Sequence, residues 1–276
     1  MPGLARRARI NNGQQSKNSL YLLYNLVSKD FKLRYRRSLL GVVWSMLNPL
    51  LMMVVMALIF SNVFKFEFNM YPFAVYLILG QTLFTVFQDG TNGAMSSILE
   101  AAPLIKKVHV EKIIFPTEKV FFAVVNFLFS LIAIACVLIF FGMMPSWKTI
   151  FVPVLLIELI VFTLGVGYLV SALSVFFRDV MHLWGVLMSV WYYFTPLFWP
   201  YDALRNFGVE WVYTLVQFNP MYHFVSCFRQ IVTGIPLESD PSVAFELGIC
   251  AVFAVVTFGV GLAVFKKLEK KFILYV

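Results

Sequence analysis

Six stretches of this chain stay apolar for roughly the 20 residues that a helix needs to cross a bilayer, and no other feature limits the fold as tightly. They cover 42–64, 71–88, 120–141, 151–177, 182–199 and 245–265. Hydrocarbon offers a backbone no water to bond with, so runs of this length become helices that satisfy their own amides and carbonyls. Composition agrees: 61% of the 276 residues are hydrophobic and only 13% are charged, against about 25% charged in soluble domains. The expected fold is all-α and integral to a membrane. It has six transmembrane helices, so both termini lie on one side.

Lysine and arginine counts decide which side. Residues 1–38 hold nine of them, the 100–119 loop four, Arg178 adds one, and the C-terminal tail holds four. The opposite side has Lys65, Lys148, Arg205 and Arg229. Cations are retained on the cytoplasmic side, so the positive ends, including both termini, are predicted to be inside. The same bias accounts for the net charge of +8 without nucleic acid as a partner. No apolar signal segment precedes residue 18, and residues 1–18 read as a flexible basic N-terminus. Residues 38–276 form the six-span domain.

Between these regions, 19–37 carries Leu20, Leu23, Tyr24, Val27, Phe31 and Tyr35 at spacings of three and four. That periodicity predicts an amphipathic helix in the interface plane, whether as a membrane-surface anchor or as a moving part. Pro49 falls inside the first apolar run, where it predicts a kink. The 99–118 loop is too apolar for a solvated linker, with Leu104, Ile105, Val108 and Ile113 among its residues. It reads either as a docking surface or as a second helix lying on lipid. Past Pro200, two apolar segments too short to span are separated by Asn219-Pro220, which predicts a helical hairpin over 203–233 re-entering the outer leaflet.

Catalytic constellations are scarce. GMMPSWKT at 142–149 has the outline of a phosphate loop, but Trp147 occupies the position where backbone must approach phosphate closely. His109, His182 and His223 lie on three segments, and Cys136, Cys227 and Cys250 lack metal-ligand spacing. No metal site, and no enzyme activity on this chain, is expected. Glu158 is the carboxylate deepest in a predicted span, which marks it as functional or as buried beside a polar partner. The fifth run is dense in aromatics, among them Trp191, Tyr192, Tyr193 and Phe194. These suit either an interfacial belt or a pore wall on which sugars stack.

Four blocks, in order, also resemble a known family: LVSKDFKLRYRRSLLGVVWSMLNPLLMMVVMALIFSNVF, SSILEAAPLIKKVHVEKIIFPTEKV, SVFFRDVMHLWGVLMSVWYYFTPLFWP and NPMYHFVSCFRQIV. Together they look like the membrane subunit of type-2 ABC exporters in the polysaccharide-export branch, which handles O-antigen, teichoic acid and related cell-wall glycans. The resemblance implies a permease subunit that pairs with a second copy of itself and with two cytoplasmic ATPase subunits. ATP and magnesium then sit on those partners, and this chain needs no cofactor of its own. It implies a bacterial cytoplasmic membrane location and an undecaprenyl-linked glycan as cargo. A drug or lipid exporter of the same fold is the alternative. Leu104, Ile105, Lys106, Lys107, Val108 and His109, with Lys32 and Arg34 of the interface helix, become the expected ATPase-coupling residues. Trp44, Tyr192, Tyr193 and Phe194 become channel-lining candidates. Pro196, Tyr201, Asn219, Pro220 and Tyr222 become the outer gate.

Overall fold

The computed structural model describes residues 20–34, 41, 43–60, 72–107, 110–199, 210–235 and 242–275. Their regular elements are helices. Helix α1 covers 20–34. It is followed by α2 (Val43–Ile59), α3 (Phe73–Glu100), α4 (Ala102–Ile105) and α5 (Ile114–Phe140). A 3-10 turn at Trp147–Phe151 leads into α6 (Val152–Phe176), then α7 (Val180–Phe194), α8 (Glu210–Gln217), α9 (Pro220–Thr233) and α10 (Val243–Leu268). A second 3-10 turn, Glu269–Lys271, leads into α11 (Phe272–Tyr275). Among the described residues, α5, α6 with its leading turn, and α10 with its trailing turn are long and apolar enough to cross a membrane. Helices α2 and α7 are apolar but shorter. The chain is an integral membrane protein.

Helix α3 is the centre of the bundle. It is buried along most of its length, from Ala74 to Ile98, and packs against α2, α5, α6 and α9. Sequence predicts a span ending at Gln88, where Gln88-Asp89-Gly90 breaks the apolar run. The helix instead continues to Glu100, about 42 Å in all at 1.5 Å per residue. Neighbouring helices shield it from lipid, so it does not have to be apolar throughout. Thr82, Thr85 and Thr91 return their hydroxyls to carbonyls one turn back, at Ile78, Gln81 and Phe87. Gly90 leaves room for the Thr163 methyl, and Gly93 for the Lys119 stem.

The loop predicted at 99–118 contracts for the same reason. After Glu100 come α4 and a short link, and α5 starts at Ile114 rather than at 120. Pro116 sits in the first turn of α5, where a missing N–H leaves no helical bond unmade. Pro49, by contrast, lies inside α2 and frees the carbonyl of Ser45 one turn earlier. Ser130 of α5 donates to that carbonyl at 3.1 Å. Helix α7 is shorter than the fifth span predicted at 182–199. Thr195 is extended because a residue before proline avoids helical geometry, so α7 stops at Phe194 and 195–199 fold back as a bent turn.

Helices α6 and α10 meet where Gly165 faces Gly261. A Cβ on Gly261 would fall on the Gly165 carbonyl, and one on Gly165 would strike the Thr257–Phe258 backbone. Helices in lipid approach most closely through such small residues. Gly259, two residues earlier, has nothing within 4 Å of an added Cβ. Thermal unfolding in detergent should therefore separate two similar changes. Gly261→Ala is expected to cost about 1–3 kcal/mol through overpacking, whereas Gly259→Ala should leave the midpoint unchanged or raise it.

Candidate functional site, a coupling face and a buried clamp

Helix α1, the α3–α5 connection, the end of α6 and the C-terminal turns gather at one end, which carries Lys106, Lys107, Lys112, Lys119 and Lys266. An apolar cluster of Ile98, Ile105, Phe115, Val120, Tyr168, Phe265 and Phe272 holds this basic end together, and Leu26 of α1 packs on it. The inward face of α1 is thus Leu26, Asp30 and Phe31. Leu20 and Tyr24, expected on the same apolar stripe, are exposed. Phe31 stacks on Phe129 at 5.6 Å, and the Arg34 guanidinium lies 5.5 Å from the Phe122 ring.

An ionic junction fastens this contact. The Lys119 ammonium donates to Asp30 of α1 at 2.5 Å. It also lies 3.5 Å from the carboxylate of Glu100, at the end of α3, and 3.6 Å from that of Glu118. One lysine in the first turns of α5 therefore ties α1 to the start of the α3–α5 connection.

The expected coupling residues divide by exposure. Leu104, Lys106 and Lys107 face outward, as do Lys32 and Arg34. Ile105 is buried in the apolar cluster, so it anchors the segment and offers no surface to a partner. Val108 and His109 lie outside the described residues.

At the far end, α9 is buried on all sides from Met221 to Thr233. Asn219 caps it by accepting from the Met221 amide at 3.0 Å, with Pro220 in the first turn. The same side chain accepts from the Trp191 indole at 2.7 Å and donates to the Thr195 hydroxyl at 2.9 Å. Asn219, Tyr222 and Pro196, expected as gate residues, are buried in the frame that joins α7 to α9. Tyr201 lies outside the described residues.

Arg229 holds that frame. Its guanidinium donates to the carbonyls of Tyr76 at 3.2 and 3.0 Å, Pro196 at 2.8 Å and Leu197 at 3.3 Å. It also lies 3.4 Å from the Tyr76 ring centroid, and the Tyr76 hydroxyl donates to Pro196 and Trp199. Gly80 makes the space: a Cβ there would collide with the Arg229 terminal nitrogen. A cation inside an apolar segment is itself a signal, but in the sequence Arg229 counted only toward sidedness. A second buried pair joins His223 to Glu246 at 2.8 Å, linking α9 to the first turn of α10. Twenty-three residues separate the two, and no local pattern announces them. Glu158 is half-buried, with one carboxylate oxygen buried and lacking a hydrogen-bond partner among the described residues. Cys227 and Cys250 are buried, and Cys136 is exposed on α5.

The aromatic candidates do not share one face. Tyr192 is half-buried and accepts from the Gln81 side chain at 3.0 Å, with Phe84 and Phe198 against its ring. Tyr193 is exposed, Phe194 half-buried, and Trp44 on α2 is exposed.

Residues 21–233 match the model of the ABC-2 type transporter family, running from the interface helix to the end of α9. The chain belongs to that family. It is similar to the O-antigen export system permease protein RfbA of Myxococcus xanthus, with 30% identity over 210 residues, 76% of this chain and 79% of that one. A protein of the same name from Klebsiella pneumoniae is 28% identical over 253 residues, covering 91% and 93% of the two chains.

In this ABC-2 family chain the Arg229 clamp makes a direct prediction. Arg229→Lys keeps the charge but loses the planar fork that reaches three carbonyls, and should lower stability by about 2 kcal/mol. Gly80→Ala, which helix propensity alone would favour, should also destabilise. Combined in one protein, the two should cost less than the sum of the singles, as measured by thermal unfolding of all four forms.

Proposed function

We propose that this chain is the permease subunit of an ATP-driven ABC transporter. Its cargo is an undecaprenyl-linked polysaccharide, an O-antigen or related envelope glycan, carried across the bacterial cytoplasmic membrane. The observation that carries this reading is correspondence along nine-tenths of the chain with relatives named for O-antigen export. In this reading α2, α3, α5, α6, α7 and α10 are the six spans, α8 and α9 form the re-entrant outer hairpin, and the basic end is cytoplasmic. Two such chains pair and engage two separate ATPase subunits, which hold ATP and magnesium. Exposed apolar residues along α7, Leu183, Val186, Val190 and Tyr193, suit a second copy.

The mechanism runs through the ionic junction. Leu104, Lys106 and Lys107 meet the ATPase, while Ile105 keeps their segment seated in the bundle. When the ATPases close, the segment moves, and Lys119 carries the displacement to Asp30 and α1. Helix α1 in turn leads into α2 at the subunit interface. Separation of the spans there opens a path for the glycan, with Trp44 and Tyr193 as stacking surfaces on its wall. The clamp of Arg229 and Asn219 keeps the outer hairpin in register meanwhile.

Three measurements check this. Asp30→Lys and Lys119→Asp should each lower glycan at the cell surface at least tenfold while the complex still assembles, and the double exchange should restore part of it. Full export by both single variants would remove the junction from the mechanism. Leu104→Asp and Lys106→Glu should reduce ATPase co-purification without affecting membrane insertion. Depletion of the chain should leave lipid-linked glycan accumulating inside the cell; if a hydrophobic drug or lipid accumulates instead, the cargo is of that kind.

A further inference from the structure

A groove of about 640 Å³ opens at the basic end, between residues 110–113, which lead into α5, and the end of α10 with its trailing turn. Its α10 wall changes character along one face. Phe258, Leu262 and Lys266 follow at four-residue steps on α10, and Lys270 continues the series in the 3-10 turn just beyond it, so two apolar side chains lead to two ammonium groups. Lys112 stands opposite. Its ammonium donates to the Glu269 carbonyl at 2.6 Å and lies 5.7 Å from the Phe272 ring, which holds the cation at the mouth of the groove. Glu111 and Glu269 also line the mouth, while Lys267 and Lys271 adjoin it. The surroundings therefore stay cationic.

Lysines at a span end ordinarily reach toward headgroups without forming a site. Here the cations sit at the mouth of an open groove whose floor is the apolar side chains Phe258 and Leu262. Basic pockets between membrane helices bind anionic headgroups in this way. We infer that the groove binds one anionic phospholipid of the surrounding leaflet, its phosphate between Lys112, Lys266 and Lys270 and an acyl chain along Phe258 and Leu262. The groove is continuous with the start of α5, so an occupied site braces the segment that leads to Lys119. The inference rests on the orientation proposed above only for which leaflet supplies the lipid.

Native mass spectrometry of the delipidated full chain tests it without any ATPase or glycan. Titration with phosphatidylglycerol should give one tight adduct per chain, and phosphatidylcholine should bind at least tenfold more weakly. Lys266→Gln combined with Lys270→Gln should weaken the phosphatidylglycerol adduct about tenfold. The pair Lys106→Gln and Lys107→Gln removes the same charge outside the groove and should leave the adduct intact. Leu262→Trp, which fills the floor without touching charge, should also weaken it. Thermal unfolding of each variant verifies folding. Equal losses from both lysine pairs would mean diffuse surface attraction, and equal binding of the two lipids would mean an apolar groove without headgroup recognition. Stronger binding of a polyprenyl phosphate in competition would assign the site to cargo. Any of these three results overturns the inference.

Discussion

The guanidinium of Arg229 sits where water does not reach, and a cation left unpaired there would cost several kcal/mol. Its hydrogen bonds run to carbonyls of α3 and of the turn after α7. Those carbonyls are available because Thr195-Pro196 ends a helix and because Gly80 yields space. Three segments far apart in sequence are therefore positioned by one side chain. The burial of α9, its cap at Asn219 and the contact between Trp191 and α9 all depend on that arrangement.

The same constraint shapes the other end with a different outcome. Lys119 and Asp30 are each about one-fifth exposed, so their pairing is neither fully screened nor fully desolvated. Such a junction holds two elements together and still permits them to shift. The frame at the far end is thus almost fully desolvated, whereas the contact at the basic end is partly hydrated.

Much of this was legible in the residues. Apolar length and charge asymmetry announced the membrane helices and the common location of the basic segments, and the Asn219-Pro220 helix start appears where expected. The errors share a cause. Gln88-Asp89-Gly90 reads as the end of a span if lipid surrounds it, but α3 is surrounded by protein. Ile105 reads as a docking residue if its segment is exposed, but the segment folds onto Phe115 and Phe272.

Sequence by itself determined that the chain lives in a membrane, which stretches are helical and which segments share the basic end, because those properties depend on local length, period and charge. Only the tertiary structure decided which polar groups meet. Lys119 and Asp30 are 89 positions apart, and Arg229 and Tyr76 are 153. Each pairing exists because helices dock at particular angles through glycines and freed carbonyls. No local pattern records where a side chain leaving one helix will find the backbone of another.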